Sequence, residues 1–169
     1  MKNLLKNILP LMLLFAYTVP ALAQEHTTKQ HQTHGDHVMI NQDKLQWQDA
    51  PPGLPKGAKV AVLKGDPGKE GAFTIRVSLP ANYKIPPHWH PVTENVTVLQ
   101  GTLYMGAGKK MDPTAANAIN EGGYSVMPAK FEHFAFTKDE VVFQLDAIGP
   151  FEIIYVNDAD DPRKKSPMN

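Results

Sequence analysis

Three histidines and one glutamate carry most of the chemistry this chain offers: His88 and His90 on either side of Trp89, Glu94 four residues on, and His133 beyond. Neutral imidazole nitrogen and carboxylate oxygen are donors that first-row divalent cations accept. The absence of cysteine excludes thiolate zinc sites and iron–sulfur clusters. Four protein ligands on a cation that takes five or six leave one or two positions for water, substrate or dioxygen. Such a site polarises a carboxylate or enolate oxygen, lowers the pKa of bound water, or binds dioxygen if its metal is redox-active. The expected cofactor is one divalent transition metal. Zinc or copper is favoured by the order of intrinsic affinities, with iron, manganese and nickel as alternatives.

That spacing constrains the elements that must position the four groups. Side chains alternate along a strand, so His88 and His90 share a face and Trp89 points away. Pro91-Val92-Thr93 reads as a turn, and Glu94 then opens a second strand with Val96 and Val98 on its own face. Gly71 to Leu79 alternates, with Phe73, Ile75, Val77 and Leu79 on one side and Thr74, Arg76 and Ser78 on the other. Further strands are predicted at Thr102–Met105, Tyr124–Met127, His133–Thr137, Val141–Ala147 and Phe151–Val156. Short strands with proline and glycine between them predict an all-β fold, a jelly roll of six to eight strands. One short helix is predicted from Asp112 to Ala118, with Asp112 as cap and Pro113 in first position.

The stretch Pro87-His88-Trp89-His90-Pro91-Val92-Thr93-Glu94, followed by Gly101, resembles the first cupin motif, with Asn82 replacing its leading glycine. Gly122, Pro128-Ala129-Lys130 and His133 resemble the second, with Lys130 where glycine is usual and Thr137 where asparagine is usual. Lys130 is expected to change the turn beside His133. The resemblance spans about residues 45–157. It implies a double-stranded β-helix (jelly-roll) cupin barrel in which His88, His90, Glu94 and His133 bind one metal ion. The segments Trp47–Ala58 and Leu63–Pro67 are similar to stand-alone cupins related to the zinc-binding cupin half of ChrR-type anti-sigma factors.

Outside this region the chain divides simply. Residues 1–23 read as a secretory signal peptide: Lys2 and Lys6, an apolar run from Ile8 to Val19, and Ala21-Leu22-Ala23 before Gln24. The run is too short for a permanent membrane span, and the expected location is periplasmic or extracellular. Residues 24–43 form a polar arm with His26, His31, His34 and His37, expected to be a flexible linker. Residues 44–157 are the barrel and 158–169 a solvated, flexible tail. Cleavage would leave 15 basic against 17 acidic residues, a balance that favours no nucleic-acid partner. A homodimer is compatible with the family resemblance.

Around the candidate site, Ala135 and Thr137 are small and share the face of His133, leaving room for a ligand. Arg76, on the polar face of an edge strand, reads as solvated; as a candidate site residue it would hold an anionic substrate. Tyr104 and Tyr124 read as packing rather than proton donors. Trp89 and Phe134 face away from the metal and are expected to seal the core between sheets. Glu132 faces outward, so no catalytic acid or base stands out. Two function classes follow: a dioxygenase- or decarboxylase-like enzyme on a small oxygen-rich molecule, or a non-catalytic metal- or ligand-binding sensory domain. An open, polar cavity above the metal would mark the enzyme; a cavity plugged by Phe143 or Met105 would mark the binder.

Overall fold

The computed structural model describes residues 37–164. The expected signal peptide, the arm histidines before His37 and the last five residues lie outside the described residues. Eleven strands run in chain order: β1 (Gln48–Asp49), β2 (Lys59–Lys64), β3 (Gly71–Leu79), β4 (Lys84–Trp89), β5 (Glu94–Gln100), β6 (Thr102–Ala107), β7 (Asn117–Asn120), β8 (Tyr124–Met127), β9 (His133–Thr137), β10 (Val141–Gly149) and β11 (Ile154–Tyr155). They form two antiparallel sheets, ordered β1-β2-β3-β10-β5-β8 and β11-β4-β9-β6-β7. The all-β jelly roll expected from the punctuation is the fold observed.

The alternation read in β3 is the alternation seen: Phe73, Ile75, Val77 and Leu79 are buried, and the residues between them are half-buried. β10 repeats the pattern through Val141, Phe143, Leu145 and Ala147. β5 buries Glu94, Val96 and Val98 on one face. These inward sets, joined by Ile85, Leu103, Met105 and Ala135 from the other sheet, form one core. Burying each such side chain contributes about 1.5–3 kcal/mol.

Several expectations need correction. β1, β2 and β7 were not anticipated. The region Asp112–Ala118 is helical only as a three-residue 3-10 turn, Pro113–Ala115. Asp112 does cap it, accepting from the Thr114 N–H at 2.9 Å and its hydroxyl at 2.6 Å. Asn117 and Ala118 then enter β7, which pairs with β6 from Thr102↔Asn120 to Met105↔Asn117. An open edge on β6 offers ladder partners, and that outweighs the helix propensity of a few alanines. Arg76 lies not on an edge strand but on an interior one, since β2 and β10 flank β3.

Phe134 faces away from the metal, as its parity requires, but it does not seal the core between the sheets. It is fully buried on the other face of its own sheet, over Gly106 across the strand pair. A Cβ at Gly106 would lie 2.2 Å from the Phe134 ring, so the glycine makes the ring's seat. The segment after Val156 is also more than a solvated tail. Asp158–Asp160 and Pro162–Lys164 are 3-10 turns. Asp161 is buried and accepts from Arg163 Nε and Nη2, both at 2.8 Å, and Arg163 Nη2 also donates to Ile153 O at 3.0 Å. That bidentate pair gives the turns a fixed anchor that composition alone did not reveal.

Candidate metal centre

His88 reaches the site because β4 carries a bulge. In the β4–β9 ladder Ile85 stands opposite Ala135 and His88 opposite His133, so three residues of β4 span two of β9. Pro86 and Pro87 occupy the extra length. Proline has no N–H to give a ladder, and bulges are where strands accept it. Without the bulge, an inward Ile85 would turn His88, three residues on, outward. With it, His88 and His133 become a cross-strand pair whose ring centroids are 4.2 Å apart. His90 follows just beyond β4, and the turn that begins there delivers Glu94 at the start of β5.

All four side chains are buried, at 2–6 % exposure. Each imidazole is tied down by its Nδ1: His88 to Pro86 O at 2.8 Å, His133 to Phe131 O at 2.9 Å, and His90 to Glu152 O at 2.7 Å. A carbonyl only accepts, so Nδ1 carries the hydrogen in each ring and Nε2 is left with a free lone pair. The three ligand nitrogens lie within 4.8 Å of one another. Glu94 Oε2 is 3.5 Å from both His90 Nε2 and His133 Nε2. Two donors about 2.1 Å from a shared cation, about 110° apart, are separated by about 3.4 Å. His90 Nε2 is buried with no hydrogen-bond partner, which a protein rarely leaves uncompensated.

The protonation states agree with this. Burial holds His88 well below the usual histidine range, and the nearby His133 and His90 rings push in the same direction. Burial also lowers His90, outweighing the opposing pull of Glu94. Neutral rings are the form that binds a metal. Free lone pairs, fixed tautomers and an orphaned nitrogen make three histidines able to hold a metal ion, with a carboxylate beside two of them.

Sequence reasoning missed the groups that support His90. Phe151 stacks on its ring, with centroids 4.3 Å apart and planes inclined by 23°. The main-chain N–H of Lys130 donates to His90 O at 2.7 Å. Lys130 adopts φ 64° and Asn82 φ 58°. The turn expected to change at Lys130 therefore keeps its left-handed residue, closed by Phe131 N–H to Pro128 O at 3.0 Å.

A cavity of about 390 Å³ adjoins His88, His90 and Glu94. Exposed Gln48, Val62 and Asp66 at its rim bring it to the surface. Its walls are mainly apolar, including Val60, Ile75, Val77, Leu145 and Ile153. The loop bearing Gly53 and Leu54 forms another wall. Tyr155 donates to Gly53 O at 2.8 Å and Tyr83 donates to Pro55 O, one hydroxyl from each side of that loop. Burial pushes both phenols up, so they stay protonated donors. On the inner side, Met105 and Phe143 border a void of only about 30 Å³ beside His88, Glu94 and His133. The site is thus closed inward and open outward, with apolar rather than polar walls.

The other candidates fall outside it. Arg76 borders a separate surface groove with Trp47 and Asp43. Tyr104 stacks on Phe136 with Lys138 Nζ 4.5 Å from its ring centroid. Tyr124 is exposed and donates to Asn95 Oδ1 at 2.8 Å. Thr137 is buried, but its hydroxyl serves the Tyr83 N–H and Pro80 O rather than the cavity. Ala135 does face the site, on the small inner void. Glu132 lies 3.6 Å from Lys109 Nζ, away from the ligands.

The architecture has solved counterparts. The polyketide cyclase RemF from Streptomyces resistomycificus superposes with a TM-score of 0.61 at 18 % identity, over 75 % of this chain and 90 % of that one. An acetylacetone dioxygenase from Acinetobacter johnsonii gives 0.57 at 17 % identity, over 76 % and 83 %. An RmlC-like cupin from Shewanella frigidimarina gives 0.52 at 13 % identity, over 69 % and 92 %. At these identities the likeness is one of fold, and the fold is the cupin jelly roll. No curated protein sequence matches the chain. The model of a domain of unknown function, DUF4437, matches residues 17–154, and the chain belongs to that family.

Proposed function

We propose that this protein is an exported mononuclear metal enzyme, a dioxygenase acting on a small organic molecule with dioxygen as co-substrate. The observation that supports it is the ligand set: three Nε2 lone pairs and the Glu94 carboxylate converge beside a cavity that reaches the surface. In this reading His88, His90, Glu94 and His133 hold one divalent metal, which when bound supplies Lewis acidity and, if redox-active, one-electron chemistry. The three backbone carbonyls fix each ring's tautomer and direction, as outer partners of metal-bound histidines do. Met105 and Phe143 close the inner side, and Phe151 shields His90. Decarboxylation fits less well, because among the described residues no lysine or arginine lines the cavity to receive a carboxylate. Export follows the signal-like residues 1–23, and acquiring metal after export favours zinc or copper, of which only copper is redox-active and serves a dioxygenase.

A second reading has two observations in its favour. The first is that the cavity walls are apolar where an enzyme was expected to line them with polar groups. The second is that, among the described residues lining the cavity, no acid or base is free for proton transfer apart from Glu94; Asp66 is paired with Lys69 at 2.8 Å. A non-catalytic binding domain, akin to the ChrR-type cupins, needs no such group.

The test is elemental analysis of protein isolated from its native compartment, followed by oxygen-uptake assays with flavonols and diketones. One equivalent of zinc or copper per chain is expected, with copper in the form that consumes oxygen. Oxygen consumption that disappears in His90→Ala together with the metal would support the enzyme. Predominant manganese or iron would overturn the metal assignment, and stoichiometric metal without turnover would favour the binding domain.

A further inference from the structure

We infer that the molecule received by this centre is uncharged and largely hydrocarbon, with one oxygen-bearing end directed at the ligand set. This rests on the metal-centre reading for the oxygen-bearing end, but the argument for the hydrocarbon part stands on the cavity alone. At about 390 Å³ the space is of the size that small-molecule sites have, about 300–1,000 Å³. Val60, Ile75, Val77, Leu145 and Ile153 face it from two sides. Water beside such walls makes few hydrogen bonds, and its release favours an apolar occupant.

Charge makes the same selection from the other direction. No lysine or arginine lines the cavity. The nearest basic candidate on β3, Arg76, sits on the opposite face of its strand and borders a different groove. Outside the ligand set, Asp66 is the only charged lining residue among those described, and its carboxylate is held by Lys69. Glu94 adds a second negative group next to the histidines. An anionic ligand would therefore lose hydration on entering and meet no basic side chain among the described lining residues. A dicarboxylate such as oxalate is disfavoured on this ground, and its small body leaves the apolar walls uncovered. Polar contacts to the body of the ligand are also scarce, since Gln48 is the one neutral amide on the lining and it stands at the rim.

Calorimetry on the full-length, metal-loaded protein separates the parts of this inference by comparing acetylacetone, 1-phenylbutane-1,3-dione and oxalate. The two diketones share a head group, so their difference reports the walls. The phenyl compound should bind at least tenfold more tightly, and oxalate more weakly than either diketone. Val62→Lys changes an exposed rim position and should cut the advantage of the phenyl compound several-fold without loss of fold. Equal affinity for the two diketones, or oxalate binding as tightly as the phenyl compound, would overturn the inference while leaving the metal centre intact. The neutral dye N-phenyl-1-naphthylamine, applied to metal-free His90→Ala, tests the cavity independently. Enhanced fluorescence, reduced by Val62→Lys, supports the apolar site even if the metal reading fails; no enhancement overturns it.

Discussion

The two sides of the metal centre are built differently. On the β4–β9 side, His88 and His133 face each other across a ladder, and each Nδ1 donates to a carbonyl two residues earlier in the chain. The His90 corner is assembled from afar: its Nδ1 partner, Glu152, is 62 residues away, Phe151 covers its ring, and Lys130 holds its carbonyl. A ladder fixes two residues at a time and is cooperative with the whole sheet. A corner drawn from three loops holds its ligand only as firmly as each loop holds its place. Damage to the first side should therefore act through register, and damage to the second through local order.

The most severe break in that contrast is removal of both prolines, Pro86 and Pro87. With both gone, Ile85 and His88 are adjacent in a pleated strand and face opposite ways, so either His88 turns outward or Ile85 leaves the core. The expected result is loss of the bound metal equivalent and a clear drop in the denaturation midpoint. A shortened protein that still binds one equivalent with native affinity would refute the role assigned to the bulge.

A milder intervention probes the other side. Phe151→Ala should leave the ladder intact and loosen only the His90 corner. Metal affinity should fall about 10–100-fold, the range seen when partners behind metal ligands are removed. Because Phe151 also packs on Phe73, with centroids 5.6 Å apart, a stability loss of about 2 kcal/mol is expected. Competition against a chelator of known affinity measures the first quantity and urea denaturation the second. Unchanged metal affinity with lowered stability would make Phe151 a packing residue only.

The same division explains what could be read before folding. His88, His90 and Glu94 were legible because short-range parity places them, with Glu94, Val96 and Val98 sharing a face. His133 was legible through the resemblance to the second cupin motif. The bulge left a trace, two prolines inside a strand, that parity counting within His88–His90 had no need to use. Phe151 and the Glu152 carbonyl left none: a backbone oxygen is present at every residue, and nothing local says which one a distant imidazole will find. Asp112–Ala118 misled because alanine propensity is local, whereas the pairing of Asn117–Asn120 with β6 depends on an edge elsewhere in the sheet. Arg76 misled because β2, whose Val60-Ala61-Val62 run alternates weakly, went unrecognised and left β3 looking like an edge.

The smallest effect concerns the turn that links the two sides. Lys130 sits between them, giving its N–H to His90 O while the chain proceeds to His133. At φ 64° a residue with a Cβ is strained by about 1–2 kcal/mol. Glycine removes that strain but gains freedom in the unfolded chain, which offsets about 0.5–1 kcal/mol. Lys130→Gly should therefore stabilise the protein by about 0.5–1 kcal/mol in urea denaturation, with metal affinity within a factor of two of the parent because the donated N–H remains. The lysine side chain is exposed and contributes no ion pair within 4 Å among the described residues, so little else is lost. If the glycine protein were instead less stable, the left-handed turn would have to be imposed by contacts of the lysine stem, and the His90 corner would depend on a side chain as well as on the main chain.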